Sequence, residues 1–223
     1  MSIKKSLFVL ALATTATAQA VTYTAPINAT PVDPFVAGAE TLLVDFDSAL
    51  PAGYSLSGSY GLATGTVINV RATPAGDTTQ YFYTSPSLAT NTATLSTPDL
   101  ATVSFYWGSI DAQNRVDILG AGGATIFTLF GSAMPPANGN HFLASTNRRV
   151  YFTAGAGETI TGLTFSTTKI AFEIDDLAGT VVGGGGNPGG TVPEPAAWAL
   201  MITGFGMVGL AARRRRTTQA LVA

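Results

Sequence analysis

The chain is predicted to be all-β, a jelly-roll-like β-sandwich of two sheets, and three observations predict it. Its middle is a run of short segments rich in Thr, Val, Tyr and Phe, separated by Gly, Pro, Asn and Asp, which is the punctuation of strands and turns. Apolar residues alternate with polar ones where the pattern is clearest: Val103, Phe105 and Trp107 share one face of residues 103–107, and 160–165 repeat the pattern. No stretch of ten or more residues carries the apolar stripe of an amphipathic helix.

In chain order the strands are expected at 40–46, 65–71, 80–84, 92–95, 101–107, 115–119, 125–130, 148–153, 159–166 and 170–177. Each is a cluster of β-branched, aromatic or leucine residues. All but 159–166 are followed within three residues by Gly, Pro, Asn or Asp. Trp107 belongs with Val103 and Phe105 on the core face, which turns Tyr106 the other way. A body of about 160 residues is long enough to bury a core without cross-links.

Composition excludes several kinds of chemistry. The 223 residues contain no Cys and one His, with 46% hydrophobic and 11% charged residues, against about 25% charged in an average globular chain. Disulfides, thiolate zinc sites, thiol nucleophiles and His-pair metal sites are ruled out. The net charge of −2 gives no basic face for nucleic acid, so no nucleic-acid partner is expected. That total conceals an asymmetry. Six of the eleven basic residues lie at the ends, as Lys4, Lys5 and Arg213 to Arg216. The middle holds five basic and twelve acidic residues, a formal −7.

The N-terminus has the three parts of a secretory signal peptide: a basic start at Lys4 and Lys5, an apolar run at 7–13, and small-x-small cleavage patterns ending at Ala18 and Ala20. The expected boundaries are a signal peptide at 1–20 and a body at 21–182. The apolar run is too short to span a bilayer.

At the other end, six of the nine residues 183–191 are Gly, which predicts a flexible linker. Val192, Pro193, Glu194 and Pro195 follow, then an uncharged segment at 196–212 and the run Arg213, Arg214, Arg215, Arg216. Seventeen helical residues reach about 25 Å, enough for a short membrane span. The arginines would stay cytoplasmic, with residues 217–223 as a cytoplasmic tail and the body outside. Pro193 and Pro195 keep their segment extended, and Trp198 stands where an interfacial aromatic anchor belongs.

This tail resembles the PEP-CTERM sorting signal, PEPxxWA subtype. The resemblance runs over 192–216 through Val192-Pro193-Glu194-Pro195, Trp198, Gly204-Phe205-Gly206 and Arg213 to Arg216. It implies recognition and processing near Glu194 by exosortase, an integral-membrane enzyme, after export by the Sec machinery. Delivery would then be to the cell surface or an exopolysaccharide matrix. The body is similar, in Val44-Asp45-Phe46-Asp47, 104–111, 137–140, 147–150 and 171–176, to a group of PEP-CTERM surface proteins with the outline of carbohydrate-binding jelly rolls.

The body offers two sets of candidate side chains. Asp45 and Asp47 lie two apart on one expected strand, as do Glu173 and Asp175 on the last. Clustered carboxylates suit a structural Ca²⁺, a hard cation that takes oxygen ligands; no other cofactor is expected. The same acids could form a glycosidase pair only if held about 5–9.5 Å apart across a cleft. Tyr106, Asp111 and Asn114, extended by Tyr81 and Tyr83, are the candidate carbohydrate-binding set. Aromatic faces stack on sugars while the amide and carboxylate bond hydroxyls. The lone His141 has no partner for a relay. The expected role is a non-enzymatic structural or adhesive one. A carbohydrate-binding module and an exported glycan hydrolase are the alternatives.

Overall fold

The computed structural model describes residues 20–38 and 40–183. The expected signal peptide up to residue 19, the linker beyond Gly183, and the sorting signal with its span at 196–212 lie outside the described residues. Among the described residues, no helix is long and apolar enough to cross a membrane.

Eleven strands account for nearly all the regular structure. They are β1 (Thr22–Thr24), β2 (Thr41–Val44), β3 (Ser55–Gly58), β4 (Gly61–Ala63), β5 (Tyr81–Thr84), β6 (Thr92–Gly108), β7 (Arg115–Leu119), β8 (Thr125–Phe130), β9 (Arg148–Thr153), β10 (Ile160–Ser166) and β11 (Phe172–Val181). All their pairings are antiparallel and join into one continuous sheet.

That sheet is doubled over, and β6 is the fold line. Residues 92–96 of β6 pair with β3 on one side and β10 on the other, while residues 100–108 pair with β9 and β11. The switch falls at Thr97-Pro98-Asp99, where Pro98 has no N–H to give the ladder. The opposing strand β10 is bulged between Ile160 and Gly162, which strengthens the local twist. The result is two layers: β3, early β6, β10, β7 and β8 in one; β1, β9, late β6, β11, β5 and β4, with β2 further along β11, in the other. Ring contacts prove the doubling. Counted along the sheet β5 and β10 are three strands apart, about 14 Å at ordinary strand spacing, yet Phe82 and Phe165 have ring centroids 5.3 Å apart.

The core lies between the layers. Leu95, Val116, Ile118, Leu163 and Phe165 from one side meet Val103, Phe105, Trp107, Phe152 and Ile174 from the other, all buried. Phe165 also meets Phe105 at 5.5 Å and Phe172 at 5.3 Å, and Trp107 stacks on Phe172 at 4.5 Å. The all-β expectation therefore holds, while the two expected sheets are joined into one through β6.

Individual strands depart from expectation for local reasons. Strands β7, β8 and β9 coincide with the predicted segments. The segments predicted at 92–95 and 101–107 are the halves of one 17-residue strand. The segment 65–71 is no strand: it makes a reverse turn closed by a Val67–Arg71 bridge, with Asn69 at φ 60°. Strands β1, β3 and β4, with sequences TYT, SLSG and GLA, are too short or too polar to stand out.

Candidate functional site

The register of the second layer assembles a polar row on its outer face. Glu173 pairs with Tyr83 and Gly108, Asp175 with Tyr106, Tyr106 with Arg149, and Ser104 with Tyr151. Directly opposed residues share a face, so these side chains all point away from the core. They are nevertheless buried, apart from Tyr151, which is half-buried: Glu173, Asp175, Ser104, Tyr106 and Arg149 are at most 3% exposed.

A strap formed by residues 65–80 covers the Glu173, Asp175, Tyr106 and Tyr83 part of this row, while Asp33, Phe35 and Glu40 meet Arg149 and Ser104, and side chains hold the strap's backbone. Glu173 accepts from the Ala72 N–H at 2.7 Å, Asn147 accepts from the Ala75 N–H at 3.1 Å, and the Tyr106 hydroxyl donates to the Ala75 carbonyl at 2.9 Å. The Tyr81 hydroxyl donates to the Gly65 carbonyl at 2.9 Å. Asp47 accepts from the Gln80 N–H at 2.7 Å. Gly108 lets the strap come this close, because a Cβ there would lie 2.8 Å from the Pro74 Cα.

The expected sugar-binding set is thus not a surface platform. Tyr106, Tyr81 and Tyr83 are buried beneath the strap, and burial raises the Tyr106 hydroxyl and pushes Tyr81 up to about 12. Asn114 is fully buried and donates to the Ala171 carbonyl at 3.0 Å. Asp111 is half-buried and packed against Gly139, and burial raises its carboxyl. Alternation had placed Tyr106 correctly on the face opposite Trp107. No signal local to the strand tells that a distant segment roofs that face.

The expected Ca²⁺ set is not assembled either. Among the described residues no group of three or more acidic or histidine side chains is placed to hold a metal ion. Asp45 instead accepts from the Asp47 and Ser48 amides and the Ser48 hydroxyl, which makes it a turn cap. Glu173 accepts from the Ala72 amide and, at 2.8 Å, from the Ser109 hydroxyl; burial above all pushes its carboxyl up to about 7. Asp175 is pushed up to about 9, by burial first and by neighbouring Asp77 next.

The geometry around Asp175 agrees with its raised pKa. The Thr79 hydroxyl lies 2.6 Å from an Asp77 oxygen and 3.3 Å from an Asp175 oxygen, and has a single hydrogen to donate. The other oxygens, Asp77 Oδ2 and Asp175 Oδ1, are buried and have no donor. Protonated at Oδ2, Asp175 can itself donate to Thr79 Oγ1, leaving the threonine hydrogen to Asp77. Beside it, Asp176 sits at φ 48° in the bulge of β11 and is pushed up to about 6, by burial and then by Asp33. Arg149 answers this negative charge. It makes a two-pronged pair with Asp33 at 2.8 and 2.6 Å, donates to the Asp176 carbonyl at 2.8 Å, and lies 4.8 Å from the Phe35 ring centre.

Two open clefts flank this layer. One, of about 370 Å³, lies between the 34–36 segment and the sheet and is bordered by Glu40, Thr102 and Tyr151. The Glu40 carboxylate is already occupied, accepting from the Thr102 and Ser104 hydroxyls. The other, of about 480 Å³, lies where the edge strand β1 meets the loop after β8, and is lined by Tyr23, Thr24, Ala25, Met134, Pro135 and Arg148. Arg148 is 5% exposed. It donates to the carbonyls of Ala25 at 3.1 Å and Met134 at 2.9 Å, and burial lowers its pKa. Strand alternation sets it on the Val150 and Phe152 side of β9 and Arg149 on the other, but no sequence signal gives the partners each one finds.

Residues 191–216 match the family model of the PEP-CTERM protein-sorting motif, in agreement with the resemblance read from Val192 to Arg216. Such signals are recognised by exosortase. The motif implies export and membrane-associated sorting toward the cell surface. No curated protein and no solved structure matches the chain.

Proposed function

We propose that the chain is a surface or exopolysaccharide-matrix protein whose jelly-roll-like β-sandwich has a non-enzymatic, structural or adhesive role. The Sec machinery exports it, the segment 196–212 holds it in the inner membrane with the body on the periplasmic side, and exosortase processes it near Glu194. The single observation that carries this reading is the sorting motif at 191–216, which follows the eleven-stranded body in the chain. The non-enzymatic role is supported by how the body uses its acids. Glu173 and Asp175, the carboxyls with the most raised pKa, are spent on holding the strap's Ala72 and Thr79. Perturbed carboxyls are also the usual mark of a catalytic pair, but here they face the chain's own backbone and hydroxyls.

Mass spectrometry of surface material from an exosortase-bearing host tests the proposal. The mature species is expected to begin near Val21 and end near Glu194, and an exosortase-null host should retain the longer form in the membrane. Full-length chain remaining in the inner membrane of the competent host would overturn it. A second reading, carbohydrate binding by the body, is favoured by the cleft at Arg148.

A further inference from the structure

Adjacent arginines on β9 point to opposite faces and meet opposite circumstances. Arg149 is on the outer face with Asp33 as its counterion. Arg148 pairs in register with Trp107, so its side chain leaves the inner face of the layer. Among the described residues the ion pairs are Arg149 with Asp33 and Arg115 with Asp117, and neither involves Arg148. Its Nη atoms reach backbone carbonyls, and its Nε is buried with no acceptor at all. A buried cation without an anion is costly. This one lines an open cleft rather than a closed core.

The rest of the cleft narrows the ligand's chemistry. Tyr23, on β1, pairs with Phe152 and so faces inward from the edge of the layer. Its ring is 5.8 Å from Phe127 of the opposite layer and 6.4 Å from Phe152, which fix it, while 36% of the residue stays exposed. Met134 and Pro135 add an apolar wall, and Thr24 adds a hydroxyl. A planar guanidinium fork suits a carboxylate, and a fixed, half-open aromatic face suits the apolar face of a sugar ring. The volume of about 480 Å³ is in the range of ligand pockets.

We propose that this cleft binds a uronic acid unit of an acidic polysaccharide, its carboxylate on Arg148 and its ring face on Tyr23. The proposal gives the matrix-facing body of the preceding section a ligand class. Its test uses purified protein, so failed delivery and failed binding are separate outcomes.

Isothermal titration calorimetry of the full chain, in a detergent without a sugar headgroup, compares glucuronate oligomers with glucose oligomers and with acetate. Glucuronate should bind saturably and about tenfold or more tighter than either control, the worth of one well-placed charged contact. Tyr23→Ala, at the half-open rim, should weaken glucuronate about tenfold with an unchanged circular dichroism spectrum, as expected of a lost stacking face. Arg148→Lys, which keeps the charge and loses the fork, should weaken it as well. Absence of glucuronate binding, equal affinity for glucose, equal affinity for acetate, or wild-type affinity in Tyr23→Ala would each overturn the proposal. If Arg148→Lys does not fold, the Tyr23→Ala comparison decides alone.

Discussion

At the residue scale, protons carry as much of the design as hydrogen-bonding atoms do. Asp175 ionises near 9 in the fold against an ordinary 3.8, and Glu173 near 7 against 4.5. A carboxyl raised on folding binds more protons folded than unfolded, so its contribution to stability is complete below the unfolded value and is lost as pH rises through the folded one. The body should therefore melt at progressively lower temperature between about pH 5 and pH 9, each kcal/mol being worth about 2–4 °C in a chain of this size. Asp175→Asn keeps the shape and carries its own hydrogens, so it should melt higher than the parent at pH 8, differ little at pH 4, and flatten the slope between. Thermal melts of both proteins across that range check this; a parallel slope in the variant would assign the pH dependence elsewhere. None of this was legible from the residues alone. The spacing of Glu173 and Asp175 showed that they share a face, which was correct. Whether that face meets water, a cation or another segment depends on residues 65–80, about a hundred positions earlier.

The strap and β6 decide how the elements fit. Gly108 is a point where the strap's Pro74 lies against β6. A Cβ at Gly108 meets backbone, which cannot swing aside as a side-chain tip can. Gly108→Ala should lift the strap without opening the sandwich. By hydrogen exchange, the Ala72 and Ala75 amides should lose protection by about tenfold or more while those of β6 and β9 stay protected. Equal loss in both sets would show that strap and sheet open together. Strands β7, β8 and β9 were readable to the residue because their apolar and β-branched runs end on clear turn residues. The unity of β6 was not, since Pro98 reads as a strand end in sequence and acts as a bend between layers in the fold. The segment 65–71 misled because Val67, Ile68 and Val70 imitate a strand; Ile68 is 83% exposed at the tip of a turn. The sorting motif at 191–216, by contrast, was legible, since it is written in contiguous residues.

For the whole molecule, charge and fold are linked. The formal −7 of the body assumes that every carboxyl is ionised. With Asp175 protonated and Glu173 about half protonated at pH 7, the folded body should hold about 1.5 protons more than the unfolded one. Potentiometric titration of native against urea-unfolded protein measures that difference directly; a difference near zero would mean that Glu173 and Asp175 are ionised beneath the strap. The doubled sheet has a further consequence, which concerns timing. Strand β6 is the spine of both layers, yet its partners β9, β10 and β11 arrive 40 to 80 residues later in the chain. A chain threaded across a membrane from its N-terminus could close the first layer only after β10, which ends at Ser166, and the second only after β11, which ends at Val181, had emerged. The body would stay extended enough to be threaded for almost its whole passage, and would lock only when the stretch ahead of the sorting signal had cleared the pore.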